Sequence, residues 1–126
     1  MPLNYACDRS KRRITVVSVG AVTREETIAV IDRQAAEGAW SFGVLYDTQQ
    51  GTSVPTGEDI HRMVLHVGRL TTKHGPRGPV ALVVRDPQLF VMGSKYSSLG
   101  DLTALNVKVC TSIEEADHWL DSECGG

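Results

Sequence analysis

Three times in this chain an apolar, strand-like run leads through a short loop to a Ser or Thr placed three residues before an acidic one. A helical stripe follows each time. The three starts are Thr23-Arg24-Glu25-Glu26, Thr56-Gly57-Glu58-Asp59 and Ser112-Ile113-Glu114-Glu115. At this spacing the hydroxyl accepts from the N–H three residues on, and the acidic side chain reaches back to the cap's own N–H. Thr23 and Ser112 carry the full Glu pattern; Thr56 with Asp59 is a near form. Repeated strand–cap–helix units are what layered α/β domains are made of.

The apolar spacing fills in the elements around these caps. Leu3, Tyr5 and Cys7 alternate, as in a half-buried edge strand, and Asp8–Arg12 makes a turn into a second strand, Arg13–Val19. Ile28, Ile31 and Ala35 give the first helix one face, and Gly38 is its expected stop. A third strand lies within Trp40–Asp47 around Val44 and Leu45. Ile60, Met63, Val64, Val67 and Leu70 form the clearest helical stripe, ended by His74-Gly75-Pro76. Burying those side chains at roughly 1.5–3 kcal/mol each outweighs the ~1 kcal/mol cost of Gly68 inside the helix.

Pro79–Val84 is apolar throughout, which suits a strand covered on both faces. Asp86-Pro87 reads as a cap and first-turn proline for a helix carrying Phe90, Val91, Tyr96 and Leu99 and ending at Gly100. Leu105, Val107 and Val109 then alternate with polar residues, and the Ser112-capped helix holds Ala116, Trp119 and Leu120. The predicted order is ββ(αβ)3α: a mostly parallel five-stranded sheet with one antiparallel N-terminal strand and four helices. One domain spans 1–121, and 122–126 is expected to be a flexible tail.

Charge and cysteines narrow the function classes. With 13 basic and 15 acidic residues the net charge is −2, so no nucleic-acid or membrane-surface footprint is implied. The only basic run, Lys11-Arg12-Arg13, falls at the hairpin and is expected to be solvated. Cys7, Cys110 and Cys124 are odd in number and widely spaced, which fits a reduced, cytoplasmic setting. No apolar run is long enough for a transmembrane helix.

No catalytic, cofactor or metal motif emerges. His61 and His66, five apart on one helix, point about 140° from each other and cannot converge on an ion. His74 and His118 have no partners at ligand spacing. There is no nucleophile elbow, dinucleotide fingerprint or phosphate loop. Asp47 ends a strand, where receiver domains carry a phosphorylated Asp, but the companion acidic pair and Lys are missing, so it reads as a turn cap. Thr56 reads first as a helix cap.

In open α/β sheets ligands gather beyond the carboxyl ends of the strands, which singles out the polar loop Gln49–Pro55. Element order, length and the run Val44-Leu45-Tyr46-Asp47 leading through that loop into Thr56 resemble the STAS domains, in particular the SpoIIAA-like relatives of anti-sigma-factor antagonists. The resemblance runs from Leu3 to Leu120 and rests on pattern and order. It implies that the loop and helix start after the third strand meet a protein partner, making Asp47, Thr48, Thr52, Ser53, Thr56 and Glu58 the candidate contacts. The antagonists carry Asp-Ser-Ser-Gly in that loop. This chain has Ser53-Val54-Pro55-Thr56-Gly57, so their phosphorylation switch does not carry over.

The leading expectation is therefore a non-enzymatic regulatory or protein-interaction domain without cofactor. The alternative is a carrier of an apolar small molecule or lipid, from the similar topology of CRAL-TRIO domains, with Phe90, Met92 and Tyr96, and Trp40 and Trp119, as candidate pocket walls. A homodimer is expected if the sheet's second face lacks a cover within the chain.

Overall fold

The computed structural model describes residues 3–53, 56–86 and 106–123. In chain order the elements are β1 (Leu3–Asp8), β2 (Arg13–Gly20), α1 (Arg24–Ala36), β3 (Gly43–Gly51), α2 (Gly57–His74), β4 (Val80–Val83), β5 (Val107–Cys110) and α3 (Ile113–Glu123). The strands form one sheet in the order β1-β2-β3-β4-β5. β1 runs antiparallel to β2, and every other neighbour is parallel. This is the expected mixed α/β sheet, with three helices among the described residues. The helix expected between Asp86 and Gly100 lies outside them beyond Asp86.

Alternation along the strands sorts the core into two layers. Ile14, Val16, Val44 and Val80 point to one face with Leu3, Ala39 and Phe42. Helix α2 lies on that face, placing Ile60 against Val84 beside Leu82 and Val109. Ile31 of α1 meets Val67 of α2 over Trp40. Leu45, Ala81, Val83 and Cys110 point the other way and pack on Ala116 and Leu120 of α3. Both faces of β4 are thus covered within one chain, so its apolar run does not call for a second copy.

Two of the three caps form complete reciprocal boxes, Thr23 with Glu26 and Thr56 with Asp59. The third differs. Ser112 Oγ accepts from Glu115 N–H at 3.1 Å, but Glu115 reaches past the cap to Thr111 N–H at 2.9 Å. Gly38 takes a positive φ of 71°, and Ala39 N–H closes the end of α1 on Gln34 C=O at 3.1 Å.

Three boundaries depart from expectation. Trp40 belongs to a turn, not to β3; its carbonyl accepts from Gly78 N–H at 3.0 Å. At its other end β3 continues through Gln49–Gly51, because β2 also extends and the two re-register as Val19↔Gln50 and Gly20↔Gly51 after an irregularity. Three of the seven residues of the expected loop are therefore strand. Finally, α3 includes Ser122 and Glu123, two residues of the expected tail. Its side chains account for part of this reach: Asp117 and Asp121, one turn apart, both bind Arg13 of β2, at 3.1 and 2.9 Å.

The basic hairpin is tied to the fold rather than merely solvated. Arg12 donates to Ser41 Oγ at 3.0 Å and stacks on Phe42, and Arg9 donates to Glu37 C=O at 2.6 Å.

Candidate functional site

Ile60 and Val67 are 2% and 3% exposed and anchor α2 at two points. Met63 and Val64 between them stay half-buried. They roof a cleft of about 340 Å3 between the helices and the sheet. Its floor is Tyr46 and Thr48 of β3 with Val80, Leu82 and Val84 around β4, and Val107 of β5 closes one side. Thr27 and Ile31 of α1 form the other wall. The volume is at the lower end of the roughly 300–1,000 Å3 typical of small-molecule sites.

The walls are apolar and the ends are polar. Toward the carboxyl ends of the strands stand Arg24 and Asp59, paired at 3.2 Å, with Ser53 and Arg85 nearby. The Thr56 N–H, together with the Arg24 guanidinium, holds the Asp59 carboxyl below the usual carboxylate range against the opposing effect of burial. Ser18, 3% exposed, donates to Asp47 C=O at 3.4 Å beneath this end. A side chain at Gly51 would sit 3.0 Å from Ser18 Oγ and 3.2 Å from Thr48 O, so glycine keeps the floor open there.

At the opposite end Arg77 enters from the segment before β4. Its Nε and Nη2 both donate to Gln34 Oε1, at 3.1 and 2.8 Å, and its guanidinium carbon lies 5.1 Å from the centre of a Trp40 ring. Gln34 is fixed in turn: its Nε2 donates to the carbonyls of Ala39 and Trp40 at 3.0 and 3.3 Å. Burial weakens the proton affinity of Arg77, bringing its pKa to about 10, which leaves it charged at neutral pH. Burial likewise raises the pKa of Tyr46 on the cleft floor.

The six residues expected at a partner site are distributed among the cleft lining, the α2 cap, the α3 side of the sheet and the exposed surface. Thr48 and Ser53 line the cleft, Thr48 donating to Val83 C=O at 2.7 Å. Ser53 Oγ accepts from Val22 N–H at 2.9 Å and donates to Val22 C=O at 3.1 Å. Thr56 caps α2 as expected. Asp47 alternates to the α3 side of the sheet and accepts from Gln49 N–H at 2.9 Å. Thr52 is exposed, and Glu58 faces solvent against Arg62 at 3.2 Å. Phe90, Met92 and Tyr96 lie outside the described residues. Trp40 and Trp119 belong to opposite layers and are not among the described lining residues.

Two of the histidines have partners in the fold. His66 meets Asp32 at 2.6 Å across α1 and α2, and His74 packs beside Trp40. Among the described residues no group of three His, Cys, Asp or Glu side chains is arranged to hold a metal ion, and no helix is long and apolar enough to cross a membrane. Arg24, Asp59 and Arg77 escape a sequence reading because each contacts residues 35 or more positions away. The one available signal was the α2 stripe, which core packing explains equally well. Comparison with family models and with curated proteins finds no match for this chain.

Proposed function

We propose that this protein is a non-enzymatic binding domain that holds an apolar small molecule between α2 and the sheet. The observation that carries the reading is the cleft itself, about 340 Å3 roofed by Met63 and Val64 and floored by Tyr46 and Leu82. Unfilled apolar volume of this kind forfeits dispersion contacts that a ligand would restore. The hydroxyls at the rim serve the fold: Thr48 ties β3 to β4, Ser53 pins the approach to α1, and Thr56 caps α2. The regulatory role implied by the STAS resemblance meets this reading at one place. Thr48 and Ser53 belong both to the cleft rim and to the segment expected to face a partner, so an occupied cleft would alter the surface offered there.

Native mass spectrometry of protein purified from its own host is the direct test. Retention of an apolar small molecule, released on denaturation, is the expected result. A solvatochromic apolar dye should bind the emptied protein, and Met63→Trp, which places an indole in the cleft, should abolish that binding. No retained molecule, together with dye binding unaffected by Met63→Trp, would reject the reading.

A further inference from the structure

Arg77 differs from the other arginines drawn in from solvent. Arg13 faces Asp117 and Asp121, and Arg24 faces Asp59. No described carboxylate comes within ion-pair distance of Arg77. Two of its five guanidinium N–H groups share a single neutral acceptor, Gln34 Oε1, and the rest have none among the described residues. Half-buried at one end of an apolar cleft, the cation has no counter-ion among the described residues, and a ligand anion would supply one.

The guanidinium is also held still. Gln34 is 2% exposed and cannot turn its amide without losing both of its own bonds, to Ala39 and Trp40. The Trp40 indole N–H is in turn anchored on Gly75 C=O at 2.9 Å. A rigid fork of donors stands at one end of an apolar trough that continues past Val80 and Leu82 toward Met63 and Val64. Planar bidentate recognition of a carboxylate is what such a fork does best.

Resting on the cleft reading above, we infer that the molecule held there is an aliphatic acid, its carboxylate on Arg77 and its hydrocarbon chain along the underside of α2. The charge is then neutralised at the same place where the chain leaves water. Neither an aliphatic alcohol nor a hydrocarbon would supply the counter-ion. The opposite end of the cleft is less suited to the head group, because Arg24 is already matched by Asp59 at 3.2 Å.

The test compares decanoate with decanol, both below their aggregation limits, by calorimetric titration of the full-length protein stripped of any retained ligand. Decanoate should bind at least roughly tenfold more tightly, as expected when a charge-assisted pair replaces a neutral one. Arg77→Gln should remove that preference while leaving decanol affinity within about threefold of the parent, and Arg77→Lys should retain part of it. Circular dichroism checks that the variants fold; if they do not, the decanoate-to-decanol ratio of the parent protein still decides. Equal affinities for the two ligands would overturn the head-group assignment and leave the cleft reading standing. Binding of neither would overturn both. A preference for decanoate that survives Arg77→Gln would place the carboxylate elsewhere and reject the role of Arg77.

Discussion

Thr56→Ala probes the point where β3 hands the chain to α2, the helix that roofs the cleft. In the structure Thr56 Oγ1 accepts from Asp59 N–H at 3.0 Å, and Asp59 Oδ2 accepts from Thr56 N–H at 3.1 Å. The Ala variant removes the first bond and leaves an orphaned N–H at an exposed helix end, where water supplies part of the replacement. A cost of about 1 kcal/mol, within 0.5–2, follows. For a chain of 126 residues that is a fall of roughly 3–5 °C in Tm, or a urea midpoint lower by about 0.5 M at unchanged slope. Thr56→Ser keeps the acceptor and should stay within about 0.5 kcal/mol of the parent. Asp59 adds a pH dependence with a definite sign. Its carboxyl is depressed in the folded state, chiefly by the Thr56 N–H. Its contribution is therefore present above the ordinary carboxylate pKa, near 4, and is lost as pH falls through the folded value. Asp59→Asn should flatten that acid limb. Urea titrations of the variants at neutral pH and at about pH 3 supply the comparison. A Thr56→Ala midpoint indistinguishable from the parent would refute the helix start and the cap together.

Leu120→Ala removes a fully buried side chain from the layer against Leu45, Ala81 and Val83 and should cost about 2–5 kcal/mol, read by urea unfolding; a cost under 1 would mean that α3 does not cover the sheet. Gly78→Ala would put a Cβ 2.3 Å from Phe42 O and 2.4 Å from Ser41 O, both backbone atoms, so soluble folded protein should be largely lost in expression and circular dichroism. Tyr5 donates to Glu37 at 3.0 Å, and burial together with that bond raises its pKa to about 12. Burial raises Tyr46 as well, so ultraviolet titration should show late-ionising phenols, and Tyr5→Phe should remove one of them.

Local chemistry was legible in the chain because its causes are local. Capping hydroxyls three residues ahead of a carboxylate, a positive-φ stop at Gly38 and the alternation along β1 and β2 depend on neighbours a few positions apart. They located the strands and described helices in order and named their buried faces. Boundaries set by pairing were not legible. Whether Gln49–Gly51 is loop or strand depends on how far β2 runs alongside, and that is decided 31 residues away, at Val19↔Gln50.

The candidate site belongs wholly to this second kind. The sequence determined that α2 has an apolar stripe and that Arg77 follows its stop. Only the tertiary structure decided that the middle of the stripe roofs a cleft, and that Asp47 alternates to the opposite side from Thr48. It alone decided that Arg77 meets a neutral glutamine where Arg13 and Arg24 meet carboxylates. The physical reason is one of range. Hydrogen-bonded turns and periodic faces are fixed by adjacent residues, whereas the walls of a cleft and the partner that a buried charge meets arise only when distant segments pack together.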